Sequence, residues 1–277
     1  MSQLLDIVTT AAILFSVATG LLLVFGVMKI INFAHGGFLT VGAYSALVVT
    51  KLGLNPWWSL LFAFVVGFGC GMVIERLVMR PLYSRPLDAI LATWGLGIII
   101  GQLITLGFGR EVQFVQSPVT GAINFLGASY SQYRLILVFA ALALAASLAT
   151  LLDRTRLGLQ TRAVIMNENL ARALGINSGL VRFVTFSLGA ALASLAGALI
   201  TPLSSVDPSM GVPWLLNAFM LVLVSGVSLL SLAAACVVLG GAQVLVSIYG
   251  NPVLGGLTIV VLAALVLRFR PQGFASE

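Results

Sequence analysis

Charge is what this sequence has least of. Of its 277 residues, 8% are Asp, Glu, Lys or Arg, where a soluble globular domain carries about 25%. It has one histidine, His35, and two cysteines, Cys70 and Cys236, far apart in the chain. That inventory holds no nucleophile with a nearby base and no metal-ligand spacing, which argues against a membrane-bound enzyme and against a metal site. The thiols read as packing residues. No Gly-x-x-x-x-Gly-Lys-Ser/Thr phosphate loop occurs, so the chain does not hydrolyse ATP by itself. No carboxylate falls in the middle of an apolar run, which removes the coupling groups an ion-driven carrier needs. The first residues, Met1 to Asp6, lack the basic segment of a cleavable signal, and the first apolar run is expected to be kept as a span.

What is present is hydrocarbon: 60% of the residues are hydrophobic and the mean hydropathy is +1.13. At ~20 residues per spanning helix, the composition describes an all-α polytopic membrane protein, with 1–277 forming one transmembrane domain and no separate soluble domain. Apolar runs cover approximately 5–28, 37–51, 57–79, 89–107, 133–152, 180–202, 214–230, 231–249 and 252–268, which predicts eight or nine helices, the short ones re-entrant or broken. The net charge of +6 lies in loops: Arg76, Arg80 and Arg85; then Arg154, Arg156, Arg162, Arg172 and Arg182; then Arg268 and Arg270. These clusters are expected on the cytoplasmic side. Loops 108–132 and 203–213 carry no net positive charge and are expected outside. In a membrane chain this basic balance sets topology and does not point to nucleic acid. Asn55-Pro56 and Asn251-Pro252 mark turns. Gly67 and Gly71, Gly97 and Gly101, and Gly189, Ala193 and Gly197 recur four apart, the spacing that lets membrane helices approach closely; no fixed-period repeat is visible.

Two polar places interrupt the hydrocarbon. In Phe25 to Phe38, Lys29, Asn32 and His35 stand between two apolar runs, where ionisable groups are costly and usually face a path, a bundle interior or the headgroups. Asn32 has amide donors and acceptors for a solute, or serves as an interhelical bond or cap; His35 lines a path or is a satisfied structural group. Lys29 is most simply a snorkelling anchor. Thr93, Trp94 and Gln102 in the fourth run are further path candidates, with Gly95, Gly97 and Gly101 beside Trp94 leaving room for its ring. Glu75 and Arg76 read as an ordering pair. The second place is Asn167 to Gly175: Asn167 as N-cap, Glu168 and Arg172 complementing the helix ends, and Gly175 as a left-handed stop specify a two-turn helix. Leu170, Ala171 and Leu174 give it a short apolar ridge that needs something to lie against.

The chain resembles the membrane permease subunits of ABC importers of the branched-chain amino-acid family, which also contains urea and short-amide permeases. The resemblance runs over nearly the whole length. It is carried by Gly26-Val27-Met28-Lys29-Ile30-Ile31-Asn32-Phe33-Ala34-His35-Gly36 with Gly42-Ala43-Tyr44, by Glu75-Arg76 and Arg80-Pro81-Leu82, by Thr155-Arg156-Leu157-Gly158 through Ala173-Leu174-Gly175-Ile176, and by Arg270-Pro271-Gln272-Gly273. Within the family, Leu91-Ala92-Thr93-Trp94-Gly95 is most similar to the urea branch. The resemblance therefore implies an importer subunit for urea or a short amide, with a branched-chain amino-acid importer as the alternative. From a different class, a passive urea or amide channel needs a closed pore and no docking helix. It further implies two ATPase subunits that use ATP and Mg and dock on the Asn167–Gly175 helix, a second homologous permease, a solute-binding protein, membrane lipid around the chain, no cofactor held by this chain, and a bacterial plasma (inner) membrane location. One departure stands out: Val224-Ser225-Gly226-Val227-Ser228-Leu229-Leu230-Ser231 replaces the family's glycine-rich turn.

Overall fold

In the computed structural model, residues 2–125, 128–270 and 273–274 are described; Pro271 and Gln272 of the closing motif lie outside them. All nine apolar runs are helical. Seven of the resulting helices are long and apolar enough to cross a membrane, and the molecule is an all-α multi-pass bundle. The helix α1 (Ser2–Met28) is the first; at ~1.5 Å per residue its 27 residues exceed a ~30 Å hydrocarbon core. Next come α2 (His35–Lys51) and α3 (Trp58–Ile74). The latter continues without a break through a π-helical turn at Glu75–Met79 into the short α4 (Arg80–Leu82). After a turn comes α5 (Pro86–Phe108), then a two-stranded antiparallel hairpin of β1 (Ala122–Phe125) and β2 (Ala128–Ser131) with Ala122 opposite Ser131. Nothing in the sequence pattern predicts this hairpin, because two four-residue strands are too short to show a period. The chain goes on through α6 (Gln132–Arg154), α7 (Arg156–Met166), α8 (Glu168–Ala173) and α9 (Ser178–Ile200). It ends with α10 (Gly211–Ser225), α11 (Leu229–Tyr249) and α12 (Pro252–Phe269).

An apolar surface can face lipid as well as protein, and burial rather than apolarity separates the helices: α1 and α9 are the two central members, 83% and 78% buried over their most apolar stretches, whereas α3, α5, α6 and α12 are each 22% buried. Without a hydrophobic drive between helices in lipid, close approach depends on small residues. Gly67 and Gly71 of α3 face Ala190, Ser194 and Ser187 of α9, and Gly197 faces the backbone of Leu39. A β-carbon on Gly20 would meet the Gly189 carbonyl, and one on Gly189 would lie 2.8 Å from the Gly20 carbonyl.

The arginines gather at one end. Arg76 and Arg80 line a hollow with Asn177; Arg80, Arg172 and Arg182 line the next. Gly273, just beyond Arg270, sits on the Val224 backbone, and Val227 faces Gly26 beside Ile165. The positive-inside rule makes this the cytoplasmic end. The opposite end carries the hairpin and a staple in which Arg134 pairs with Asp6 at 2.8 Å and Tyr130 bonds both Thr9 and Asp6.

Two helices do not start at either end. After α1 reaches the cytoplasmic side, residues 29–34 run without regular helix back into the bundle, where α2 begins with His35 beside Val17 and Gly20 of α1. After α9 reaches the outside, where Val206 pairs with Gln113, residues 204–210 re-enter and α10 begins at Gly211 against Gly36. Both belong to the shorter apolar runs, which the sequence left as re-entrant or broken without saying which; 252–268, equally short, forms a helix long enough to span. The helices also pair in a mirrored pattern: α3 and α2 pack on α9 as α11 and α10 pack on α1, and α2 meets α5 as α10 meets α12. Because α1 and α9 run oppositely, the two halves are inverted, a relation with no counterpart in the sequence period.

Candidate functional site

The N-termini of α2 and α10 meet inside the bundle. A β-carbon on Gly36 would lie 2.9 Å from the Gly211 carbonyl, and one on Gly211 would overlap the Gly36 carbonyl. Around this junction is a cleft of about 590 Å³ lined by α2, α5, the 204–210 segment and α10. Phe33, Trp94, Ile98, Val212, Leu215 and Leu216 give it an apolar wall. Trp94 is 58% exposed, and Phe33 meets it edge-on with ring centroids 5.3 Å apart. Gln102, Thr105 and Ser209 add polar atoms, and Arg110 and Asp207 stand in the lining toward the outer end. Gly97 and Gly101 keep the α5 backbone near Phe33 and Pro208. Two helix N-termini at one place sum two positive dipole ends.

Of the residues the sequence put forward for a path, Trp94 and Gln102 face this cleft, whereas Thr93, Asn32 and His35 form the wall behind it. The Asn32 side-chain oxygen accepts from the Ala34 amide at 3.1 Å and its carbonyl takes the His35 amide at 3.3 Å, so it forms an Asx turn that shapes the strip just before α2. Thr93 donates to the Ile90 carbonyl at 2.9 Å and accepts from the Phe33 amide at 3.2 Å. His35 Nε2 donates to the Val17 carbonyl at 2.9 Å. All three are buried. Backbone amides left by a broken helix take up polar side chains first, which is why polar residues here are not automatically solute-facing. Phe33, Arg110 and Asp207 line the cleft without standing out in the sequence; the break before α2 is the one signal for Phe33. Lys29 is exposed and has φ +52°, a left-handed turn that ends α1. An Asn32→Ala variant is expected to lose about 1 kcal/mol of stability, the usual net worth of one intramolecular hydrogen bond, seen as a lower detergent melting temperature with an unchanged KM for uptake.

The Asn167–Gly175 helix forms at the cytoplasmic end. Asn167 Oδ1 accepts from the Leu170 amide at 3.0 Å, Gly175 has φ +84°, and α8 occupies the six residues between cap and C-cap. The expected single ridge is split. Ala171 is 2% exposed, packed with Val27, Val164 and Val181, while Leu170 and Leu174 are 58% and 74% exposed. Ala171 tethers the helix to the bundle; the leucines point away. Arg172 pairs with Glu168 at 2.7 Å and donates to Ser178 at 2.6 Å, and Arg182 pairs with the other oxygen of Glu168.

Glu75 and Arg76 do not form the expected ion pair: Glu75 is 1% exposed and accepts from the Tyr83 hydroxyl, while Arg76 is exposed. Adjacent helical positions do not face each other. The departure at 224–231 is accommodated by Gly226 alone, φ +64°, with Ser228 capping α11 and the Val224 carbonyl taking the Phe274 amide at 2.7 Å. Among the described residues no group of three His, Cys, Asp or Glu could hold a metal.

A many-helix bundle with broken helices meeting at a cleft is the architecture of a polytopic membrane protein. The chain belongs to the family described as branched-chain amino acid transport system / permease component, whose model matches residues 3–269. It is 28% identical over 293 residues to the high-affinity branched-chain amino acid transport system permease protein LivH of Escherichia coli, covering 99% of this chain and 94% of that one. A probable branched-chain amino acid transport permease protein LivH of Methanocaldococcus jannaschii is 29% identical over 219 residues, 76% of this chain and 69% of that relative. Among solved structures, PsaBC from Streptococcus pneumoniae in complex with Fab shares the fold, with a TM-score of 0.54 at 14% identity over 98% of this chain and 93% of that one. The protein is thus the permease component of an ABC-type transport system, multi-pass in the inner membrane.

Proposed function

We propose that this permease imports an aliphatic α-amino acid of the branched-chain kind. The observation that carries this is the cleft at the junction of α2 and α10. A carboxylate is favoured where two half-helix N-termini converge, and the Phe33, Trp94, Ile98, Leu215 and Leu216 wall suits an apolar side chain better than urea, which has no apolar part. Arg110 and Asp207 offer both signs to a zwitterion on its way in. The relatives named for branched-chain amino acids support the same choice over the urea reading of Leu91-Ala92-Thr93-Trp94-Gly95, in which Thr93 is consumed by its bonds to Phe33 and Ile90.

The cleft is one wall of a path. A second homologous permease completes it, a solute-binding protein delivers the amino acid at the outer face, and two ATPase subunits dock on the exposed Leu170 and Leu174. In proteoliposomes holding the complete assembly, labelled leucine is expected to accumulate only with ATP, and excess isoleucine or valine to suppress it while urea and acetamide do not. Suppression by urea alone restores the small-amide reading; uptake down a gradient without ATP supports a passive channel.

A further inference from the structure

A buried carboxylate in a spanning helix needs a reason. Glu75 is almost wholly enclosed, no arginine or lysine pairs with it among the described residues, and the Tyr83 hydroxyl is its hydrogen-bond donor. Burial first, then this bond, push the Tyr83 phenol well above its ordinary range, so it stays a donor. One face of the Tyr83 ring receives the Arg182 guanidinium, 4.6 Å from its centroid. Arg182 has a side chain only 14% exposed and reaches Glu168 of α8, and its Nε is buried without a partner. Glu75, Tyr83, Arg182 and Glu168 thus make a continuous line from α8, across the start of α9, to the end of the α3 rod.

Both ends of that line lie on irregular or short elements. The carboxylate lies at the start of the π-helical turn Glu75–Met79, and single π turns occur mostly at functional sites, where a helix holds one residue too many for its register. Tyr83 sits in the short turn joining α4 to α5, closed by the Arg85 amide on the Leu82 carbonyl at 2.9 Å. Whatever moves Tyr83 moves the base of α5, and α5 carries Trp94 and Gln102 in the cleft and holds Phe33 through Thr93. At the other end α8 is anchored by Ala171 alone among its apolar side chains, too short to be stable unaided.

We infer that Glu75, Tyr83, Arg182 and Glu168 form a relay that carries displacement of α8 into α5, with Tyr83 as the positioning residue that joins the two; this rests on the reading that ATPase subunits dock on α8. The enclosed end of the line, Glu75 with the Tyr83 hydroxyl, is where a hydrogen-bonded line is stiffer than its separate pairs, and the charge of Arg182 cannot leave the Tyr83 ring without losing a cation–π contact.

The test uses the complete assembly in proteoliposomes, reading solute moved per ATP hydrolysed, and spin-label distances from α8 to the cytoplasmic base of α5 before and after ATP binding. Tyr83→Phe keeps the ring and the cation above it but frees Glu75. The expected result is a fall of roughly tenfold in solute moved per ATP, the scale of coupling losses along such a network, while hydrolysis continues. In this variant α8 still shifts on ATP binding and the base of α5 does not follow. Arg182→Lys gives the same loss, and Glu75→Gln, which still accepts from Tyr83, retains most of the wild-type ratio. A Tyr83→Phe assembly with wild-type stoichiometry and joint motion of α8 and α5 overturns the relay alone. A wild-type assembly that moves no solute at the expense of ATP overturns the docking reading and the relay with it.

Discussion

Replacing Leu170 and Leu174 together with aspartate is expected to abolish ATP-driven uptake while the chain remains in the membrane at its normal level. Both leucines are more than half exposed on a helix whose one buried side chain, Ala171, already holds it to the bundle, so neither is needed for folding. Burying a leucine against a partner contributes about 1.5–3 kcal/mol. Placing a carboxylate there removes that gain and adds desolvation of a charge, so the pair of changes is expected to weaken docking by a factor of order 10³ or more. Co-purification of the ATPase subunits with the tagged permease reads this directly, beside uptake. Normal co-purification of the double variant would refute α8 as the docking element. Ala171→Asp is the contrasting variant: it buries a charge between Val27, Val164 and Val181 and is expected to lower the amount of folded protein instead.

The second large effect is expected at Gly211. Its β-carbon would overlap the Gly36 carbonyl, and the first turns of α2 and α10 have no slack there. Gly211→Val must push two helix N-termini apart, at a cost of about 1–3 kcal/mol typical of overpacking, and it displaces the backbone that lines the cleft. Uptake is expected to drop by roughly ten- to a hundredfold, since small misplacements of a binding geometry have effects of that size, with a detergent melting temperature lowered by a few degrees. Gly95→Ala, where a β-carbon meets nothing within 4 Å, is the matched control and should leave both unchanged. A Gly211→Val protein with normal uptake would show that the junction is not part of the path.

The nine helices were legible because apolar runs in a membrane protein are long and turn residues between them are few. The break at Lys29 to His35 was legible too, since three polar residues inside a hydrocarbon stretch rarely belong to an unbroken lipid-facing helix. Their roles were less so. Asn32 and Thr93 look like solute ligands by type, but a broken helix exposes backbone amides that claim the nearest side-chain oxygens, and this competition depends on residues that are near in space and often distant in sequence. The second break, before Gly211, is quieter: Asp207-Pro208-Ser209 reads as an ordinary outer loop, and only the packing against Gly36 reveals that it dips into the bundle. Tyr83 carried no signal and Arg182 only that of a cytoplasmic basic cluster, because their partners are neighbours in space and not in sequence. The ridge Leu170, Ala171 and Leu174 was assigned to one face from spacing alone, and two turns are too short for spacing to say which side meets the bundle.

The two non-helical strips have a consequence for how the compartments are kept apart. Residues 29–34 approach the Gly36–Gly211 junction from the arginine-rich end, residues 204–210 from the opposite end, so a different piece of chain stands between the junction and each compartment. The outer strip is pinned by the Gln113–Val206 bridge, whose two backbone hydrogen bonds are 2.9 Å each; the inner one is held by Thr93 on α5. Unlatching one leaves the other in place. Loosening the strip on one side therefore leaves the strip on the other side covering the junction, and that cover is made of backbone rather than of any single plugging side chain.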